Sequence, residues 1–295
     1  MRVERHKAFG EKIAIIETAD ASSSVIYVTF GTHHICVCSN NRAMLWHVAR
    51  NISPMLTLEP IGTTAIGMFY IDEQQGGFLV GEEDCSEQRF DELGDAVRSL
   101  HHTLIKRFID SRSDLVWIHA GAVTFGGEAL LLVAPTGHGK STLVGEFLDW
   151  GCSYLSDDVA PIDPISCGVL PFPVSPWKRV SSQARVPAER LHEVPKVPVQ
   201  LLPTAIGMGR APLRQIYFLC HDERLETNSI APCSPAAMVL EMARNSFTSE
   251  EHRVDEIARL CALANRVPAA YLNYAGAPIA ARQIIDALAA SPSHR

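Results

Sequence analysis

The sequence predicts an α/β fold in two parts, a β-rich α+β module at the N-terminus followed by a larger domain in which apolar strands alternate with helices. Three observations predict it. Residues 1–86 hold short runs rich in Ile, Val and Thr, broken by turn-forming residues. From Leu115 onward the strand-like runs become almost wholly apolar and are separated by segments of helical period. Between the two, ALLLVA (129–134) runs into a glycine-rich loop from which an amphipathic helix leaves.

In order, Lys12–Thr18, Ser24–Phe30 and His33–Ser39 read as strands. Arg42–Ile52 reads as a helix with Leu45, Trp46 and Val48 or Ala49 inward. Thr63–Ile71 and Gly77–Val80 are strands joined by the polar turn DEQQGG. Glu87–Asp110 carries a helical period through Phe90, Leu93, Val97, Leu100, Leu104 and Phe108, and the stretch 87–114 is expected to bridge the module to a domain over 115–295. There VWIHAGAVTF and EALLLVA form a hairpin about Gly126-Gly127. The helix Lys140–Trp150 stops at Gly151, and CSYLS leads into Asp157-Asp158 and VAPID. The proline-rich 164–212 is expected to be irregular, with short strands. A strand Gln215–Cys220, helices near 235–246 and 250–265, a strand Ala270–Tyr274 and a helix Pro278–Ala289 close the chain.

Composition narrows the function. The chain has 295 residues, 47% hydrophobic, and a net charge of −7 with both signs scattered. No Lys/Arg-rich run is present, so a nucleic acid is not the expected partner. The longest apolar run, Ala129–Pro135, is too short to span a bilayer, and the N-terminus lacks a signal-peptide core. A soluble, cytoplasmic protein with no membrane partner is therefore expected. The eight cysteines include no Cys-x-x-Cys pair, and several within apolar runs, Cys220 and Cys261 among them, read as small core residues of a reducing compartment. His34, Cys36 and Cys38 share one strand face, but no second ligand pair completes a metal site, so a half-buried strand is the reading.

Ala134-Pro-Thr-Gly-His-Gly-Lys140-Ser141-Thr142 approximates G-x-x-x-x-G-K-[ST], with Ala134 in place of the first glycine. Glycines let successive N–H groups curl around a phosphate. Lys140 adds a positive charge toward the β- and γ-phosphates, and the Ser141 hydroxyl is placed to ligate Mg²⁺. Thr136, Gly137, His138, Gly139, Lys140, Ser141 and Thr142 are therefore the candidate ATP contacts. Asp157 and Asp158, at the end of the next strand, divide roles if the chain stays extended: one serves the metal and one a proton in transfer. With Phe125 facing Glu128 across the Gly126-Gly127 turn, His119 falls opposite Ala134, beside the phosphate loop.

Ile118-His119, TGHGKST and Ser156-Asp157-Asp158, with their spacings, resemble the C-terminal catalytic domain of bacterial HPr kinase/phosphorylase and its relatives. The resemblance covers about 115–163. It implies a phosphate-loop kinase domain of the HPr kinase / PEP carboxykinase-like type. It further implies ATP and Mg²⁺ as cofactors, nucleotide and metal binding at Lys140 and Ser141, a catalytic role for His119, and Asp158 as general base toward a serine. With Asp158 as the base, Asp157 is expected nearer the metal, and Lys140 is counted among the catalytic residues. The family's glycine-rich downstream signature is not recognisable here, and the spacing of its further metal-binding glutamate lands near Gln183. HPr itself is therefore not the implied acceptor. The chain is more similar to HPr-kinase-like proteins of peptide-modifying clusters, including kinases of lasso-peptide precursors. The expected activity is transfer of the γ-phosphate to a serine of a peptide or small protein, such as a ribosomally made precursor, docked on the N-terminal module. A kinase of a free small molecule and a nucleotide-switched binding module are the alternatives. Because that family often assembles, a homo-oligomer is among the expected partners.

Overall fold

The computed structural model describes residues 3–8, 11–17, 24–57, 60, 62–83, 85–135, 137–174, 177–179, 196–198, 206–207, 209–248 and 253–290. The chain divides into two compact units, Met1–Ser113 and Asp114–Arg295.

In the first unit the strands are β1 (Val3–Ala8), β2 (Glu11–Glu17), β3 (Ser24–Phe30), β4 (His33–Ser39), β5 (Leu56–Thr57), β6 (Thr64–Gln74), β7 (Gly77–Glu82) and β8 (Gln88–Phe90). They form one sheet in the order β1-β2-β3-β4-β6-β7-β8, with β5 on β3. Helix α1 (Arg42–Ile52) starts where the Asn41 side chain accepts the Ala43 amide at 2.9 Å, and it makes the crossover to β6, which lies parallel to β4. Period 2 on β3 and β4 puts Ile26, Val28, Ile35 and Val37 in the core with Leu45, Val48 and Ala49 of α1; Trp46 is only half-buried, and Met44 and Ile52 are buried instead. Helix α2 (Leu93–Ser111) buries Val97, Leu100, Leu104 and Phe108 and packs on β6 and β7 inside this unit. It starts six residues later than its apolar period predicts. Phe90 fits the helical spacing but pairs with Phe78 in β8, where ladder hydrogen bonds to β7 outweigh a fraying first turn.

The second unit has strands β9 (Val116–Ile118), β10 (Ala120–Phe125), β11 (Glu128–Val133), β12 (Ser153–Ser156), β13 (Ala160–Asp163), β14 (Gly168–Val169), β15 (Trp177–Arg179), β16 (Lys196–Pro198), β17 (Ala211–His221), β18 (Ser229–Cys233) and β19 (Ala269–Tyr274). Its helices are α3 (Lys140–Asp149), α4 (Pro235–Arg244), α5 (Arg253–Ala264) and α6 (Ala277–Ala290). Parallel β11, β17 and β19 form the centre; β10 and β12 extend it antiparallel on one side and β18 on the other. The start of β17 also carries β14, β13 and β9. The alternation along β11 explains its continuous apolar run. Leu130, Leu132 and Ala134 pack under α3 and α6, while Ala129, Leu131 and Val133 pack under α4 and α5. A sheet covered on both faces is thus mixed α/β architecture with a core on each side.

Two further expectations are adjusted. VWIHAGAVTF is not one strand: it breaks at His119 into β9 and β10, which pair with different neighbours. The strand β18 was not foreseen in the sequence, because Pro232 interrupts its pattern; it lies at the sheet edge, where a missing N–H is tolerated.

Candidate functional site

The hairpin register is the one the Gly126-Gly127 turn dictates, Phe125↔Glu128 through Ala120↔Val133. It delivers the end of β11 to the loop 134–139 beside His119. Gly137 (φ +92°) and Gly139 (φ +82°) adopt backbone angles that L side chains disfavour. Ala134, by contrast, has no positive φ and packs in the core, so the substitution of the first glycine is accommodated. The His138 amide donates to the Pro135 carbonyl at 3.3 Å, and Leu143 N to Gly139 O at 2.9 Å opens the helix. The loop is closed from below by buried Tyr274 at the end of β19, whose hydroxyl donates to the His138 carbonyl at 3.2 Å. A Cβ on Gly139 would lie 2.5 Å from that hydroxyl. Thr136 lies outside the described residues.

Lys140, the first residue of α3, is 6% exposed. Its Nζ lies 2.8 Å from His119 Nε2, and His119 Nδ1 lies 2.9 Å from the Asp158 carbonyl oxygen. Ammonium nitrogen only donates and a carbonyl only accepts, so the pair of distances defines a neutral imidazole protonated at Nδ1. Room for the lysine stem comes from Gly121 on β10, where a Cβ would meet Val144 Cγ2 at 2.7 Å and Lys140 Cγ at 3.3 Å. A glycine inside a strand, as Gly121 is, is the sequence signal for such a close approach.

The two aspartates sit where a second strand breaks. One antiparallel register runs through Ala122↔Ser156 and Ile118↔Ala160, and it opens in the middle at His119 on one side and Asp157-Asp158 on the other. The Ser156 hydroxyl pins that turn, donating to Val159 O at 2.6 Å and accepting Val159 N at 3.3 Å. Asp157 is 2% exposed and Asp158 is exposed, so the neighbours do face opposite environments. Burial, then the nearby Asp157 and Asp158 carboxylates, push the Tyr154 phenol well above its ordinary range, which keeps it a neutral donor to Val174 O at 2.6 Å. The structure therefore gathers His119, Lys140 and Asp158 directly. Ser141 and Thr142 stand exposed on the first turn of α3, and Gly137 and His138 are exposed on the loop.

Residues Asn245–Phe247 were not singled out in the sequence. They lie along β9: His119 N donates to Asn245 O at 2.6 Å, Phe247 N to Trp117 O at 3.0 Å, and Ile118 bridges Ser246. At the carboxyl ends of β17 and β19, the His221 and Tyr274 rings lie 5.1 Å apart near the loop's base. The carboxyl ends of β11, β17 and β19 thus meet at one rim, the usual ligand side of parallel sheets. On β4, His34 binds Thr63 Oγ1 through Nδ1 at 2.9 Å. Burial raises the Cys36 thiol and takes Cys38 to about 11, aided by Cys36, Asp72 and Glu83.

No protein-family model matches the sequence, and no curated protein matches it. Among solved structures, the chain is similar to the Hpr(Ser) kinase/phosphatase from Coxiella burnetii. The identity is 10% and the TM-score 0.33, over 58% of this chain and 94% of that one. The likeness is coarse. Among the described residues no helix is long and apolar enough to cross a membrane.

Proposed function

We propose that the chain is an ATP-dependent kinase that transfers the γ-phosphate to a serine hydroxyl of a peptide or small protein. The observation that carries this reading is the chain of contacts Lys140–His119–Asp158 at the N-terminus of a helix entered through a positive-φ glycine loop. The residues fit a nucleotide: the loop carries glycines at the positive-φ positions 137 and 139, the exposed Ser141 and Thr142 follow it, and a nearly buried lysine stands at the start of the helix. Ser141 and Asp157 are the groups that would hold Mg²⁺, which when bound neutralises charge on the phosphates.

Each side chain then has a task. The Lys140 ammonium sits at the positive end of α3, where it and the loop amides favour a dense anion. His119 keeps the ammonium in place through Nε2 and is itself held by the Asp158 carbonyl. The Asp158 side chain is exposed, and in this reading its carboxylate accepts the proton of the serine hydroxyl as that oxygen attacks the γ-phosphorus and ADP leaves. The N-terminal unit is the docking body for the acceptor in this reading. The supporting test is incubation of the chain with γ-labelled ATP, Mg²⁺ and host-cell extract, with identification of the labelled species. Label on a serine of a peptide or protein supports the reading. Label on a free metabolite replaces the acceptor, and nucleotide binding without transfer leaves a switch.

A further inference from the structure

The segment that follows α4, Asn245–Thr248, is held by a part-buried polar network centred on α5. Glu256 on α5 is 3% exposed. It accepts the Ser246 hydroxyl at 3.0 Å and the Thr248 hydroxyl, and it pairs with Arg253 Nη1 at 3.3 Å. The same guanidinium donates to Ser246 Oγ at 2.9 Å, to Ala243 O at 3.1 Å and, through Nη2, to Thr248 O at 3.3 Å. Only the carboxylate of this pair is buried, and a half-exposed ion pair adds little net stability. What this one does is hold Ser246 and Thr248, and with them the residue between, in a single conformation.

That residue is Phe247. It is large, apolar and 40% exposed, yet it is anchored by its amide to Trp117 O at 3.0 Å. Its ring stands edge-to-face on the His119 imidazole, with centroids 6.0 Å apart and planes at 89°. The His119 backbone is tied to the same segment through Asn245 O at 2.6 Å. The half-buried imidazole thus has three contacts, Lys140 at Nε2, the Asp158 carbonyl at Nδ1 and the Phe247 ring, and Asn245 holds its backbone. Rotation about its side-chain torsions would break both ring hydrogen bonds, and the Phe247 ring adds a packing contact that opposes such rotation.

We propose that Phe247, locked by Glu256, is a positioning residue for His119. It holds the imidazole in the plane in which Nε2 meets Lys140 and Nδ1 meets the Asp158 carbonyl, so that the tautomer these two partners select is kept. This rests on the kinase reading for its kinetic consequence, but not for its structural one. The test compares Phe247→Leu, which loses the flat ring, with Phe247→Tyr, which keeps it, in the full chain. Ring-nitrogen NMR of His119 reports the tautomer directly, and steady-state kinetics separates kcat from the KM for ATP.

For the wild type and Phe247→Tyr, the expected signal is a single Nδ1–H tautomer. For Phe247→Leu, a mixture of tautomers and a kcat lower by roughly 10-fold are expected, at a KM for ATP unchanged to about twofold. Glu256→Gln, which preserves shape while weakening the hold on Ser246, Thr248 and Arg253, should move the same signals in the same direction. Unchanged ring-nitrogen signals in Phe247→Leu overturn the proposal, as does an equal loss in Phe247→Tyr. A wild-type chain that transfers no phosphate defeats the kinase reading instead, and the NMR comparison still decides the role of Phe247.

Discussion

Replacing Gly139 by Ala probes the loop where local conformation and a distant contact meet. Two costs arise. A side chain at φ +82° carries a left-handed penalty of about 1–2 kcal/mol. The new Cβ also lies 2.5 Å from the Tyr274 hydroxyl, so buried Tyr274 must shift and surrender its 3.2 Å bond to His138 O, worth about 0.5–1.5 kcal/mol. Together roughly 1.5–3.5 kcal/mol are lost, which lowers the melting temperature by about 3–14 °C in a unit of this size. Tyr274→Phe removes the clashing oxygen, and the next ring atom is 3.6 Å away, an ordinary contact. In that background Gly139→Ala should cost only the backbone penalty, about 1–2 kcal/mol. The assay is a double-mutant cycle by denaturant unfolding, with ATP titration calorimetry on each variant. Equal cost in both backgrounds would refute the steric argument. Undiminished ATP affinity in Gly139→Ala would refute the assignment of the phosphate to this loop.

Other predictions bear on the remaining groups. Lys140→Ala should weaken ATP binding by about 1.5–3 kcal/mol, because a charge-assisted contact in a nearly buried site is lost; calorimetry measures it. Asp158→Asn should leave ATP affinity near normal and slow transfer by roughly 10²–10⁴-fold, whereas loss of ATP binding would make Asp158 a metal ligand. Burial raises the Asp163 carboxyl, but the Ser166 hydroxyl, the Ile165 and Ser166 amides and Arg210 outweigh it and hold the group below its usual 3.8. The stability this adds is complete above that value and is lost as pH falls through the lower folded value. Asp163→Asn should accordingly flatten the acid limb of the denaturation profile below pH 3.8. A chain beginning at Asp114 should keep ATP binding and lose transfer to the physiological acceptor; full activity on that acceptor would remove the docking role from the first unit.

What could be read from the sequence is what neighbouring residues decide among themselves. Gly126-Gly127 set the β10–β11 register because a two-residue turn admits one pairing, and that register alone carried His119 to the loop. The Ala129–Ala134 run and the Gly137, Gly139, Lys140 spacing marked strand, loop and helix N-terminus through backbone preferences that need no tertiary partner. Gly151 likewise ended α3, its amide donating to Leu148 O at 2.9 Å at φ +83°.

The rest depended on residues far apart in the chain. Only the order of strands shows that 116–125 breaks at His119, since its amide goes to Asn245 rather than along a ladder. Only packing decides which of the two aspartates is buried, Asp157, and which is exposed, Asp158. Tyr274 beneath the loop, Gly121 beside Lys140 and the Glu256-locked Phe247 all meet the site across long sequence separations. Turn chemistry and apolar period are encoded within a few residues, but which distant side chain fills a given gap is decided by the burial of a whole sheet on both faces at once.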